Sequence, residues 1–199
     1  MRIKRIQGFS LTEMMLAFAI VGIVAAGIIT AFVKTQTSSQ ALLDATRFDR
    51  QLTSIMNTMA RDIRRAGYFA AADSLQDNPF NNSANDLRVV NGSCILLSYD
   101  INKDKKVDDV ERFGYRLKDN VIQYREADGT LSCSAGTWNN LTDKYLMKIT
   151  ALNFKLDEVK PNDQVTVRLV AISLTGQLDN GETKTITRLV KVYNDKFTP

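Results

Sequence analysis

The 199-residue sequence contains no histidine, one tryptophan, two cysteines and three prolines. The absence of histidine excludes a Ser-His-Asp triad, a histidine general base and nearly every zinc site. The prolines are Pro79, Pro161 and Pro199, so no proline interrupts a helix in the first 78 residues. No nucleophile–base pairing is recognisable either. We therefore predict that the protein is not an enzyme, and a membrane-anchored enzyme is the disfavoured alternative.

A long uncharged run extends from Met14 to Val33. About 20 apolar residues are what a helix needs to cross the hydrocarbon core of a bilayer. Arg2, Lys4 and Arg5 precede the run, and a positive flank stays in the cytoplasm. We therefore predict a single-pass inner-membrane protein whose larger part lies in the periplasm. These three residues also account for most of the net charge of +4, so nucleic-acid binding is not expected.

An amphipathic helical pattern follows the apolar run without a break. Its apolar residues recur every three or four positions, as on one face of a helix: Leu42, Ala45, Phe48, Leu52, Ile55, Met59, Ile63 and Ala66. Gly67 is a plausible helix stop. The pattern predicts one continuous helix from about residue 9 to about residue 66, roughly 85 Å long. A secretory signal peptide would have a shorter apolar region.

The composition after Gly67 is typical of β-structure. Residues 73–92 are rich in Asn, Asp and Ser and are predicted to form a loop. Strands are predicted at 94–99, 112–117, 121–125, 148–156, 165–174 and 183–193. In the fifth, Val165, Val167, Leu169, Ala171 and Ser173 alternate with their neighbours, as in a half-buried strand. Turns are predicted at 118–120 and, through Gly176 and Gly181, at 175–182. The fold class predicted is α+β, with the long helix packed on an antiparallel sheet.

Cys94 and Cys133 both lie in the part predicted to be outside the cytoplasm. An even number of cysteines in an oxidising compartment favours a disulfide. Two free buried thiols are the alternative. A bond closing a loop of about 40 residues would stabilise the fold by roughly 4 kcal/mol in the chain-entropy model.

The segment Gly8-Phe9-Ser10-Leu11-Thr12-Glu13, with its basic leader and apolar run, resembles the prepilin motif of type IV pilins. The resemblance implies that a prepilin peptidase cuts between Gly8 and Phe9 and methylates the new amine of Phe9. It also implies that Glu13 meets the N-terminal amine of a neighbouring subunit, which would offset the cost of a carboxylate in hydrocarbon. The alternative is that Glu13 is an acid at the headgroup level.

This resemblance gives a domain plan. Residues 1–8 would be the leader, 9–33 the membrane and assembly half of the helix, 34–67 its amphipathic half, and 68–199 a β-rich pilin domain.

The run Arg61-Asp62-Ile63-Arg64-Arg65-Ala66-Gly67-Tyr68 is similar to PilW-type minor pilins and to the related J-type pseudopilins of type II secretion. A solvated helix end with a glycine cap is the alternative. The similarity implies a minor pilin that primes or caps a type IV pilus, or else a secretion pseudopilin. Implied partners are other minor pilins, the major pilin, the inner-membrane assembly platform and a tip adhesin. A DNA-uptake pilin would need a concentrated basic patch on the folded domain.

The segment from Asp100 to Glu111 resembles an EF-hand-like calcium loop. Its candidate ligands are Asp100, Asn102, Asp104, Lys106 through its carbonyl, Asp108 and Glu111. Lys105 occupies the position that is usually glycine, and the flanks are predicted strands rather than helices. A solvated polar loop is the alternative to Ca²⁺ binding, and no cofactor is required.

Overall fold

The computed structural model describes residues 8–70, 78–126, 129, 131–143 and 147–197. The chain forms two compact units that divide between Arg47 and Phe48. Helix α1 (Leu11–Arg65) begins in the first unit and ends in the second. Nine strands follow α1 in the described ranges. The predicted α+β class and the predicted long helix are confirmed, and the helix bounds differ from the prediction by two residues or fewer.

The first unit consists, in its described part, of a short non-helical start followed by α1 as far as Arg47, which includes the apolar run. All residues from Gly8 to Leu43 are exposed within this chain. By its length and composition α1 could cross a membrane. The hydrophobic surface therefore requires lipid or other protein to cover it.

The second unit contains two antiparallel sheets, whereas the sequence analysis predicted one. The first sheet consists of β1 (Arg88–Val90), β2 (Cys94–Ser98), β3 (Arg112–Lys118), β4 (Val121–Arg125) and β5 (Trp138–Asn140) in sequential order. Asp119 and Asn120 connect β3 to β4 with φ angles of 53° and 61°. Positive φ at both central residues is the signature of the tight type I′ turn, so the predicted hairpin at 118–120 is confirmed.

The second sheet consists of β6 (Lys148–Asn162), β7 (Val165–Gln177), β8 (Thr183–Lys191) and β9 (Lys196–Phe197). Its order is β6-β7-β8, and β9 pairs with β7 beyond the end of β8. Along β7 the buried residues include Thr166, Arg168, Val170, Ile172 and Leu174. The alternate set, which the sequence analysis singled out, is only half-buried on the opposite face.

One core joins the second part of α1 to the inner faces of both sheets. The buried helix residues include Phe48, Leu52, Ile55, Met59 and Ile63, which the periodicity predicted. Gly176 lies within β7 instead of in the predicted turn. A Cβ there would come within 2.8 Å of Phe48 Cε2, so this glycine allows the close approach of helix and sheet. Gly181, with φ of 88°, is in the turn as predicted.

Three short strands escaped the sequence analysis. β1 and a 3₁₀ helix (Pro79–Asn81) lie in the predicted loop 73–92, of which 73–77 lie outside the described residues. β5 and β9, of three and two residues, were also missed. Strands this short carry too little alternation to be recognised without their partners.

Candidate processing and assembly site

The Gly8–Phe9 peptide bond lies in an uncovered, non-helical segment ahead of α1. The Phe9 side chain is exposed. A Cβ built on Gly8 would meet nothing within 4 Å. The rest of the predicted leader, residues 1–7, lies outside the described residues. Within the described chain, therefore, nothing blocks an enzyme from reaching this bond.

Ser10 starts the helix and places Glu13 in its first turn. The Ser10 carbonyl accepts hydrogen bonds from the Glu13 and Met14 amides at 3.0 and 3.1 Å. The partial positive charge of a helix N-terminus favours a carboxylate there. Glu13 thus lies in the first turn of α1, directly before the apolar run that starts at Met14. Its exposed carboxylate can accept a hydrogen bond from an ammonium group of another chain.

The segment from Arg61 to Tyr68 docks on both sheets, which distinguishes it from a simple solvated helix end. Gly67 has φ of 73°, and its amide donates to the Ser98 carbonyl at 2.8 Å. A Cβ on Gly67 would come within 2.4 Å of Asn81 Oδ1. Glycine is therefore required by both backbone conformation and space.

Asp62 ties α1 to the first sheet from inside the core. The hydroxyl of Tyr99 donates to Asp62 Oδ1 at 3.3 Å, and that of Tyr115 donates to Oδ2. Burial, followed by the charge of Asp62, raises the pKa of Tyr99 to about 12. The same two causes raise the pKa of Tyr115. Both tyrosines therefore stay protonated as hydrogen-bond donors to the buried acid.

A polar cluster that the sequence analysis missed closes the end of α1. The Asn194 side-chain amide donates to the Arg65 and Ala66 carbonyls, each at 3.2 Å. Arg168 is 0% exposed, and its guanidinium donates to Asn194 O at 2.8 Å and to Asp86. A buried cation near a helix C-terminus is favourable because the last carbonyls carry partial negative charge. An arginine inside an alternating strand gives no sequence signal of this role.

The predicted disulfide between Cys94 and Cys133 is present. It fastens the loop before β5 to the outer face of the first sheet, where Cys94, Leu96 and Leu131 form a second hydrophobic cluster with Trp138 packed against it. The Arg116 guanidinium lies 4.2 Å from the Trp138 ring centre, and burial lowers the pKa of Arg116. We refer to residues 131–138 as the strap.

The six candidate calcium ligands lie in one loop. The carboxylates of its two buried members, Asp100 and Glu111, already accept hydrogen bonds from backbone amides. Glu111 accepts hydrogen bonds from the amides of Ile101 at 2.8 Å and Asp108 at 3.0 Å. Asp100 accepts from the Lys103 amide at 2.6 Å. The remaining predicted ligands are Asn102, Asp104, Lys106 and Asp108, all exposed.

Lys105, in the position of the usual glycine, has φ of 69°, so the turn required by such a loop is formed. In the described part of the chain, no three His, Cys, Asp or Glu side chains are grouped to hold a metal ion.

Comparison with known proteins gave two family matches. The family described as "Prepilin peptidase-dependent protein B" matches residues 41–192, which is more than half of the chain. The "Prokaryotic N-terminal methylation motif" matches residues 3–29. A relative from Escherichia coli (strain K12), also named "Prepilin peptidase-dependent protein B", is 24% identical over 145 residues, covering 69% of this chain and 71% of the relative. No solved structure matches the chain.

Proposed function

This chain belongs to the prepilin peptidase-dependent protein B family of type IV pilin-like proteins, and on that premise we propose that it is a PilW-like minor pilin. Its role is structural: it helps to prime or cap a type IV pilus. The observation that carries this proposal is the uncovered Gly8–Phe9 bond directly ahead of an exposed apolar helix that leads into a folded α+β body.

The proposed mechanism begins with processing at the membrane. A prepilin peptidase cuts between Gly8 and Phe9 on the cytoplasmic side and methylates the Phe9 amine. The apolar half of α1 keeps the chain in the inner membrane, with the sheets in the periplasm. The Glu13 carboxylate then pairs with the N-terminal ammonium of a neighbouring subunit, which offsets the cost of burying either charge and sets the axial register.

Assembly replaces lipid by protein around the helix. The assembly platform lifts the subunit into a bundle, where Met14–Val33 packs against the helices of the major and other minor pilins. Van der Waals packing then substitutes for lipid contacts of similar polarity. The sheet domain remains available for partners, among them a tip adhesin.

The first experiment is the intact mass and abundance of the protein in sheared surface filaments and in membranes. We expect a trace filament species that lacks Met1–Gly8 and carries one added methyl group. The same processed mass confined to the membrane fraction would instead identify a J-type pseudopilin of type II secretion. An uncut chain would refute the processing step.

Glu13→Ala tests the assembly step separately from cleavage. We expect the variant to be cleaved normally but to be missing from filaments, because the charge pairing is lost. Thr12→Ala, on the same exposed helix turn, is the matched control and should enter filaments. Normal incorporation of Glu13→Ala would contradict the role given to the carboxylate.

Calcium binding by the loop from Asp100 to Glu111 stays a prediction. We expect the purified full chain to release or absorb heat on titration with Ca²⁺ up to millimolar concentration, the range of extracellular sites, and to melt at a higher temperature. Asp104→Asn keeps the acceptor for the Lys106 amide but removes a charge, so it should weaken both effects. Absence of heat and of any melting shift in the unchanged chain would refute calcium binding.

A further inference from the structure

Within the part of the chain that the structure describes, the second sheet has an open edge at β8. Among the described residues, β8 pairs only with β7. The opposite edge is partly covered, because the Ile149 and Phe154 amides donate to the Asn120 and Gly92 carbonyls at 2.8 and 2.6 Å. An open edge presents a row of unpaired backbone N–H and C=O groups, to which an extended segment of another chain can pair.

The register identifies which backbone groups point outward from β8. Lys191 pairs with Leu169, and the next amide, Val192 N, donates to Arg168 O at 3.0 Å. The pairing between β7 and β8 runs without a bulge from there to Thr183. Because bonding direction alternates along a strand, the N–H and C=O groups of Thr185, Thr187, Leu189 and Lys191 point away from β7.

The side of this edge that faces α1 is strongly basic. Lys184 pairs with Asp49 Oδ2 at 2.6 Å, and Arg188 donates to Asn57 Oδ1. Both side chains therefore fold onto the helix and leave the strand edge uncovered. The neighbouring helix surface adds three cations, Arg50, Arg61 and Arg64. Arg61 lies 4.0 Å from Asp62 and its side chain is 62% exposed.

The other side of the edge is less basic and partly apolar, with Lys191 as its one charged side chain on β8. Thr185, Thr187 and Leu189 project there, and Leu189 is 63% exposed. Beside them is a shallow hollow lined mostly by uncharged side chains, among them Ala171 and Ser173. The two sides of the same edge thus favour different side chains.

We propose that β8 receives an extended segment of a neighbouring pilus subunit by strand addition. Side chains of a strand alternate between the two faces of a sheet. A segment added beside β8 would therefore place every second side chain over the basic helix surface and the others beside Leu189. The segment that fits alternates acidic with apolar or threonine residues. The inference rests on the proposed function in taking another subunit as the partner.

The test uses the purified full chain in detergent and a synthetic peptide. The probe is the capped nonapeptide Glu-Val-Glu-Thr-Glu-Val-Glu-Thr-Glu, and binding is measured by calorimetry or by fluorescence anisotropy. We expect saturable binding that weakens with added salt, because exposed charges are screened. Two control peptides should not bind: one with the acids replaced by lysine, and one in which alternate amides are N-methylated to block pairing.

Thr187→Pro is the decisive variant. Proline at a position whose N–H faces outward is tolerated on an edge strand, so the variant should keep its circular dichroism spectrum and melting cooperativity. We expect about tenfold weaker peptide binding, since an outward donor is lost. Thr187→Ala, which keeps the backbone N–H, should bind like the unchanged chain.

Arg50→Glu with Arg61→Glu tests the charge requirement without touching the strand. This pair should weaken binding by more than tenfold, whereas Lys118→Glu with Lys160→Glu, on exposed positions elsewhere in the domain, should not. Binding unaffected by Thr187→Pro or by the arginine changes would overturn the proposal.

Two other occupants of this surface would also overturn the proposal. One is a single-stranded oligonucleotide that binds in place of the peptide. The other is a second copy, which would appear as concentration-dependent dimerisation abolished by Thr187→Pro. Failure of the peptide to bind would leave processing and filament incorporation untouched, so it is distinguishable from failure of the proposed function.

Discussion

Reduction of the Cys94–Cys133 disulfide should lower the free energy of unfolding of the second unit by up to about 4 kcal/mol. The two cysteines are 39 residues apart in sequence. For a closed loop of about 40 residues, the chain-entropy relation gives an entropy loss of roughly 13 cal/mol/K in the unfolded chain, hence about 4 kcal/mol at 25 °C. The loop that the disulfide closes contains β3 and β4. Reduction therefore removes a constraint on the part of the unfolded chain that forms the first sheet.

The structure also predicts where the loss appears first. The cluster of Cys94, Leu96 and Leu131 is separate from the main core, so the strap can open while the rest remains folded. Trp138 is the only tryptophan and packs against that cluster. Its fluorescence therefore reports the strap, whereas far-UV circular dichroism reports the whole fold.

The assay is guanidinium unfolding of the full chain in detergent, with and without reductant, followed by both signals. We expect the reduced protein to unfold at a lower midpoint, with the fluorescence transition preceding the dichroism transition. Reductant should have no effect on the double variant Cys94→Ala Cys133→Ala. Coincident midpoints for oxidised and reduced protein would refute the reasoning.

Two further predictions concern the end of α1 and its attachment to the first sheet. Gly67→Ala should destabilise the fold by more than about 2 kcal/mol, because φ of 73° is strained for alanine and its Cβ would press on Asn81. An unchanged thermal midpoint would contradict this prediction. The control is Gly129→Ala, since Gly129 has a positive φ but open surroundings. The two tyrosines that donate to Asp62 should make stability fall above pH 10. Their pKa is raised in the folded protein, so the unfolded chain loses these protons at a lower pH. For Tyr99 the loss of stability continues to about pH 12. Denaturant midpoints between pH 9 and 12 should fall less steeply after Tyr99→Phe, and an unchanged slope would argue against the raised pKa.

The processing motif and the long helix were predictable from sequence because each is encoded locally. A carboxylate five residues after Gly8, an uncharged run and a 3.6-residue apolar period need no distant partner to be recognised. The same holds for the Asp119–Asn120 turn, whose residue types tolerate positive φ. The disulfide followed from compartment and cysteine count alone.

The division into two sheets was decided only by tertiary structure. Which face of β7 is buried depends on where α1 packs, and either alternating set of that strand could have faced the core. The buried role of Arg168 likewise exists only because Asp86 and Asn194, 82 and 26 residues away, fold around it. The edge of β8 is open because, among the described residues, no strand other than β7 pairs with it. Long-range contacts of this kind leave no periodic trace in the chain. The sequence by itself therefore determined the apolar helix and the processing motif, whereas the tertiary structure determined which surfaces the folded domain exposes.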